Sequence, residues 1–281
     1  MLACQVGLFC CLLGPMVLAQ TDPEGPPQVR AAIIACRGLI DDAQYESIQR
    51  RTREALDQGA DYLIYEIGTY GGLVQSADSI SKFLLDTAAS AHTVAYIRTE
   101  AISAGAMISV SCRDIVMREN TTIGACAPIT MGGTLEGVER EKTESFIRAI
   151  FDRAAAANHY PRALLRAMVS MQIEVYRIRN IETGAFEYFE TPDLPTDPNR
   201  FDLAGKKVVV KEGELLTVAS GTAEEYGIAR TVVTDLDGVL AFLARGGTRS
   251  GLSVPRRTWS PPGPNAWSVR STTRPWSGSS S

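Results

Sequence analysis

The chain is poor in lysine and histidine. Among its 281 residues only five are lysine (Lys82, Lys142, Lys206, Lys207, Lys211) and two histidine (His92, His159), against twenty-three arginines. Few histidines leave little room for the imidazole bases that most hydrolases use. Few lysines make any lysine in an apolar setting conspicuous. No basic stripe occurs before residue 246, and a net charge of -4 with a pI near 5.4 argues against a nucleic-acid-binding surface. Metal-type spacing is also missing. Cys4, Cys10 and Cys11 lie in the first 19 residues, while Cys36, Cys112 and Cys126 stand far apart among apolar or small neighbours. An odd set without such spacing is not a disulfide framework, and these three read as buried small hydrophobes. Residues 1–19 carry no charge but are broken by Gly14 and Pro15, so they are marginal for a membrane span. Ending in Val17-Leu18-Ala19 before polar Gln20, they read as an export signal that lacks the usual positive start.

With 45% hydrophobic and 21% charged residues, the chain is globular and long enough for one sizeable core or two modest ones. A Pro/Gly-rich linker, 20–28, leads into a pattern that repeats. Short apolar runs at 29–36, 62–67 and 93–97 read as buried strands. Helical spacing follows the first, from Asp41 or Asp42 as N-cap, and the second, where Leu73, Ala77, Ile80 and Leu84 form a stripe. Alternating strands and helices of this kind predict an α/β fold with a mainly parallel sheet. Further on, 114–117 reads as a strand, 121–125 as a turn, and 173–190 as a hairpin with Arg177 and Arg179 exposed. Short strands at 208–210, 215–218 and 232–234 precede a helix capped by Asp235. From 246 onward no acidic residue occurs, all three tryptophans appear, and Ser, Pro, Gly, Arg and Thr dominate. That composition predicts a disordered tail over 246–281.

Parallel sheets place their sites at the carboxyl ends of strands. Two such positions stand out. Gly68-Thr69-Tyr70-Gly71-Gly72 follows the second strand, and Ala101-Ile102-Ser103-Ala104-Gly105-Ala106-Met107 follows the third. A serine between small residues, where a strand gives way to a helix, can present its hydroxyl beside unpaired helix N-terminal amides. Acyl transfer needs an activated hydroxyl, a base, and amides aimed at the developing oxyanion. Ser103 fits the nucleophile, and the N–H groups of Gly72 or Gly71 and of Ala104 fit the oxyanion donors. Lys142 fits the base if neutral, since an ordinary lysine is protonated at pH 7. Its spacing from Phe146 and Ile150 places it on the apolar face of a helix starting near Glu139. The bland alternatives are an ordinary strand-to-helix turn and a snorkelling lysine. His92 and His159 read as surface residues, and Cys126 has no base nearby.

Taken together, these residues carry a resemblance. Ala101-Ile-Ser-Ala-Gly-Ala-Met107, Ile115-Val-Met117, Thr122-Ile-Gly-Ala125 with Pro128, Gly71-Gly72, Glu141-Lys-Thr143, and Glu214-Leu-Leu-Thr217 before Glu224-Glu-Tyr-Gly227 resemble the Clp-class serine protease domain of NfeD-type proteins. The resemblance spans about 29–245. It implies the Clp protease/crotonase spiral of strand-strand-helix units and a Ser/Lys dyad, mapping to Ser103 and Lys142. It also implies an ATP-independent, membrane-associated endopeptidase acting on hydrophobic polypeptide segments, without metal or cofactor, exported or at the extracytoplasmic membrane face, and homo-oligomeric. The competing expectation is a non-catalytic scaffold of the same fold that binds membrane partners. Gly68-Thr69-Tyr70 stands where the family usually has an Asp-Thr-Pro-like run, and the 173–190 hairpin reads as an insertion.

Overall fold

β1 (Val29–Arg37), α1 (Asp42–Asp57), β2 (Tyr62–Thr69), α2 (Val74–Thr87), β3 (His92–Ile102), α3 (Ala104–Val110) and β4 (Asp114–Arg118) follow one another in regular alternation. After them come β5 (Thr122–Gly124), α4 (Gly137–Asn158), α5 (Arg162–Ala167), β6 (Val175–Arg179), β7 (Phe186–Glu190), β8 (Lys207–Val210), β9 (Thr217–Ala219), α6 (Ser220–Glu225), β10 (Thr231–Val233), α7 (Leu236–Ala244) and β11 (Trp267–Ser271). The computed structural model describes residues 29–129, 136–246 and 267–271. The expected export signal, the linker and most of the expected tail lie outside them. Within that tail, however, β11 pairs in parallel with β1, so 267–271 is strand rather than disordered chain.

The main sheet runs β10-β4-β3-β2-β1-β11, every pair parallel. Both its faces are covered. Leu63, Tyr65 and Ile67 of β2 join the core under the helices, whereas Tyr62 and Ile64 join a second core with Val239 and Leu243 of α7. A strand buried on both sides reads as a continuous apolar run rather than an alternation, which is why 62–67 shows no period of two. Asp41 and Asp235 cap α1 and α7, accepting from Gln44 N (2.8 Å) and Gly238 N (2.9 Å). Cys36, Cys112 and Cys126 are buried and unpaired, as expected.

Four local expectations need correction. Residues 122–124 are not a turn: β5 pairs in parallel with the end of β3 and antiparallel with β9. His92 is not a surface residue but is 5% exposed, because it opens β3 beside Asp114 at the start of β4, with Nε2 to Oδ2 at 2.7 Å. Arg177 is half-buried and bonded to Glu225 (2.5 Å); it lies in the small antiparallel sheet β7-β6-β8, which packs on α5. Lys142 does not share the apolar face of α4. The buried stripe runs through Glu144, Ile147, Ile150, Phe151 and Ala154. Two residues before Glu144 is about 200° around the helix, so Lys142 faces out, with Phe146 beside it at 45% exposed. The sequence misleads here because the buried stripe contains a carboxylate. Glu144 is satisfied by Arg140 Nε (2.7 Å) and Ser170 Oγ (2.7 Å).

Candidate active site

Between β2 and β3 the pairing register slips: Ile67 faces Ile97, but Thr69 faces Ala101. β3 therefore bulges over 98–100, and such bulges re-aim the residues just beyond them. Ser103 is one of these, at the junction of β3 and α3, with φ 54° and ψ -116°. Few non-glycine residues adopt a positive φ, and holding one there costs about 1–3 kcal/mol unless the surroundings over-determine it. They do so here. The Ser103 N–H donates to Gly124 O (2.9 Å), while its carbonyl accepts from Ala106 N (3.0 Å) and Met107 N (3.3 Å). Its side chain is only partly buried, and Oγ makes no hydrogen bond among the described residues.

Gly71 sits on this serine. A Cβ added to it would lie 2.9 Å from Ser103 Cβ, 3.2 Å from Oγ and 3.7 Å from Ala104 N, and its φ of +125° suits glycine alone. Gly72 is pressed against the opposite neighbour, pairing in parallel with Ile40. That bridge uses Gly71 O and Leu73 N, so the Gly72 N–H itself has no backbone partner among the described residues. The Gly71 N–H, in contrast, donates to Thr69 Oγ1 at 3.0 Å. Of the two glycine amides, Gly72's is the one unengaged. The Ala104 N–H opens α3 and so lacks an intrahelical acceptor. Gly105 allows α3 to approach β2, since a Cβ there would meet Thr69 Cγ2 at 2.7 Å.

The structure thus brings Gly71, Ser103 and Ala104 together with Gly72 adjacent. It does not join Lys142 to them. Lys142 lies in the second turn of α4, exposed, with no ion pair or hydrogen bond among the described residues and none to Ser103. Glu141 beside it is taken by Arg148 (2.6 Å). Gly137, Val138, Glu141, Lys142 and Ser145 line a shallow open concavity. A relay of contacts nonetheless runs from the serine to this helix. The Cys126 thiol touches Ser103 O (3.5 Å), Cys126 N donates to Met168 O (2.6 Å), and Ser170 Oγ donates to Glu144. Burial pushes the Cys126 thiol well up, with the Ser103 carbonyl opposing weakly, so this sulfur is no rival nucleophile. Sequence reasoning gave no role to Thr69 or Gly124, and took Cys126 only as a buried thiol without a base. A threonine two residues before a glycine amide is the signature of a side-chain turn and could have been found; the other two are defined only by tertiary contacts.

No group of three or more His, Cys, Asp or Glu side chains suited to a metal ion occurs among the described residues, and none of their helices is long and apolar enough to cross a membrane.

The surroundings of Ser103 can be set beside known proteins. The chain is 25% identical over 235 residues to the membrane protein NfeD1b of Bacillus subtilis (strain 168), an alignment covering 83% of this chain but only 45% of that protein. In fold it is similar to a mutant of the membrane-bound stomatin-specific protease 1510-N, with a TM-score of 0.62 at 17% identity, covering 89% of this chain and 100% of the other. A second mutant of 1510-N, in complex with a substrate peptide, superposes with a TM-score of 0.61 at 16% identity over 89% of this chain and 94% of the other. A third structure, of the 1510-N membrane protease specific for a stomatin homologue from Pyrococcus horikoshii, has a TM-score of 0.57 at 16% identity with the same coverage. These likenesses show that the chain has the α/β fold of 1510-N. Residues 31–188, more than half of the chain and including Gly71, Gly72, Ser103 and Lys142, match the model of the NfeD1b N-terminal domain, and the chain belongs to that family.

Proposed function

We propose that the chain is a serine endopeptidase that works without ATP, with Ser103 as nucleophile, Lys142 as base, and the N–H groups of Gly72 and Ala104 as oxyanion donors. The observation that carries this reading is the conformation of Ser103: a strained, over-determined strand-to-helix turn with a glycine loop seated on its side chain. In the reaction Ser103 Oγ bonds to the scissile carbonyl carbon while its proton passes to Lys142 Nζ. The C–N bond then breaks, the amine leaves with that proton, and water releases the acyl group by the reverse sequence. Leu39, Tyr70 and Leu73 are exposed around the glycine turn, and Val138 and Phe146 lie one helical turn before and after Lys142. An extended apolar segment suits such a rim, which supports hydrophobic polypeptide as the substrate class. Membrane association is carried over from the relatives described as membrane proteins, and the exposed apolar rim supports self-assembly.

The second reading, a scaffold that binds membrane partners, draws on the outward position of Lys142 and the missing link to Ser103. Hydrolysis of an apolar peptide separates the two. Wild type turns over, Ser103→Ala does not, and Lys142→Arg does not either, because a guanidinium cannot give up its proton near neutral pH. Exposed His159, replaced by alanine, leaves turnover near normal. Full activity in folded Lys142→Arg refutes the dyad, and an inert wild type that still captures a membrane partner favours the scaffold.

A further inference from the structure

Thr69 is 2% exposed and lies where three pieces of chain meet. Its hydroxyl accepts from the Gly71 N–H at 3.0 Å. The oxygen also lies 2.5 Å from Gly38 O and 3.3 Å from Gly71 O. A hydroxyl has one proton to give. The shorter contact takes it, since Gly71 O is already bonded to Ile40 N at 3.0 Å. The methyl group of Thr69 meanwhile faces Gly105, in the first turn of the helix that Ser103 opens. A single side chain therefore ties the end of β1, the glycine turn and the nucleophile's helix together.

The tie matters because two successive glycines specify little by themselves. Glycine takes positive and negative φ with similar ease, so an untethered Gly71-Gly72 pair has many ways to orient the Gly72 amide. Two bonds together remove most of them: Thr69 Oγ1 holds the Gly71 N–H on the peptide entering the turn, and Ile40 N holds the Gly71 carbonyl on the peptide that carries the Gly72 amide. They also leave the Gly72 N–H as the unengaged donor of the turn. We propose that Thr69 is the positioning residue of the oxyanion turn, acting through its hydroxyl on the Tyr70-Gly71 peptide that leads into the Gly72 amide, and not on substrate. This rests on the serine endopeptidase reading and adds to it a residue which that reading does not require.

The test uses the full chain as wild type and two variants. Thr69→Val keeps the shape and removes the hydroxyl, whereas Thr69→Ser keeps the hydroxyl and removes the methyl. Loss of one oxyanion donor outright lowers kcat by about 10²–10³, so a donor left in place but loosely held should cost less, about 10–100-fold. The expected result for Thr69→Val is such a fall in kcat with KM within about twofold, matched by slower labelling of Ser103 with a fluorophosphonate, because only the tetrahedral state feels the misplaced amide. Thr69→Ser should recover most of the loss. Thermal melts monitor folding. A Thr69→Val enzyme with normal kcat and normal labelling overturns the inference. So does a Thr69→Ser enzyme as impaired as Thr69→Val, since packing against Gly105 would then be the whole role. A wild type that is not labelled at all overturns the endopeptidase reading itself, and this inference with it, which is a distinct outcome.

Discussion

Replacing Gly72 with alanine puts a methyl group where the backbone of Ile40 already is. The added Cβ would stand 2.1 Å from Ile40 O, 2.5 Å from its N and 2.7 Å from its carbonyl carbon. Backbone cannot swing aside as a side-chain end can, so relief requires residues 38–40 to part from 71–73. Parting breaks two hydrogen bonds, Ile40 N to Gly71 O (3.0 Å) and Leu73 N to Ile40 O (2.7 Å). At about 0.5–1.5 kcal/mol net for each, the loss is about 1–3 kcal/mol. For a domain of 150–250 residues each kcal/mol lowers Tm by about 2–4 °C, giving a fall of about 2–12 °C. Activity should suffer more than stability, by about 10²–10³ in kcat, because the same movement displaces the Gly72 amide. Calorimetry and Ser103 labelling with a fluorophosphonate measure the two effects separately. The control is Gly221→Ala in α6, where a Cβ meets nothing within 4 Å; it should be neutral or stabilising by up to about 1 kcal/mol. Wild-type Tm and labelling in Gly72→Ala would refute the tight approach of the two loops. A lowered Tm with full labelling would refute the oxyanion role of Gly72 alone.

Asp78 joins α2 to α4, accepting from Arg153 (2.6 Å) and pairing with Lys82 (2.6 Å). Burial acts to raise its carboxyl, but the bonds and charges of Lys82 and Arg153 outweigh it and hold the group below its ordinary value of 3.8. A carboxyl depressed in the folded state stabilises above its unfolded value and loses that contribution as pH falls through the folded one. Asp78→Asn should therefore lower stability by about 1–3 kcal/mol at pH 7, and the gap to wild type, followed by denaturant titration, should close as pH drops below 3.8. A gap constant from pH 7 to pH 2 would contradict this. For self-assembly, light scattering at micromolar concentration should show more than one copy per particle, and a monomer would count against it.

Much of the site was legible in the sequence, and the residues that were not share a cause. The strand-turn-helix rhythm placed Gly71-Gly72 and Ser103 at the carboxyl ends of adjacent strands, because both signals are local: an apolar run, then small residues. The seating of Gly71 against Ser103 is a result of that placement. Lys142 shows where local reasoning fails. Its spacing from Phe146 and Ile150 matches a helical stripe, yet the true stripe passes through Glu144, and no pattern of hydropathy admits a buried carboxylate. Only the partners supplied by Arg140 and Ser170 make it tolerable. His92 misleads in the same way, since Asp114 lies 22 positions away in sequence and next to it in space. β5 reads as a turn because its three residues hold a single large apolar side chain, Ile123, and end in glycine.

The hydrogen bond from Ser103 to Gly124 has a bearing on how the protein is made. Gly124 is itself held against the segment that leads into β9: a Cβ there would lie 2.4 Å from Leu216 O, and Ala125 N donates to the same carbonyl at 3.1 Å. Leu216 in turn donates to Ala167 O at 3.0 Å. A chain emerging from the ribosome thus presents Ser103 more than a hundred residues before the last support of its backbone exists. A strained turn persists only when its surroundings compel it, so the serine of a half-made chain is free to relax into an ordinary conformation. The turn at Ser103 is therefore among the last local features of the domain to be fixed, although its own residues are made early.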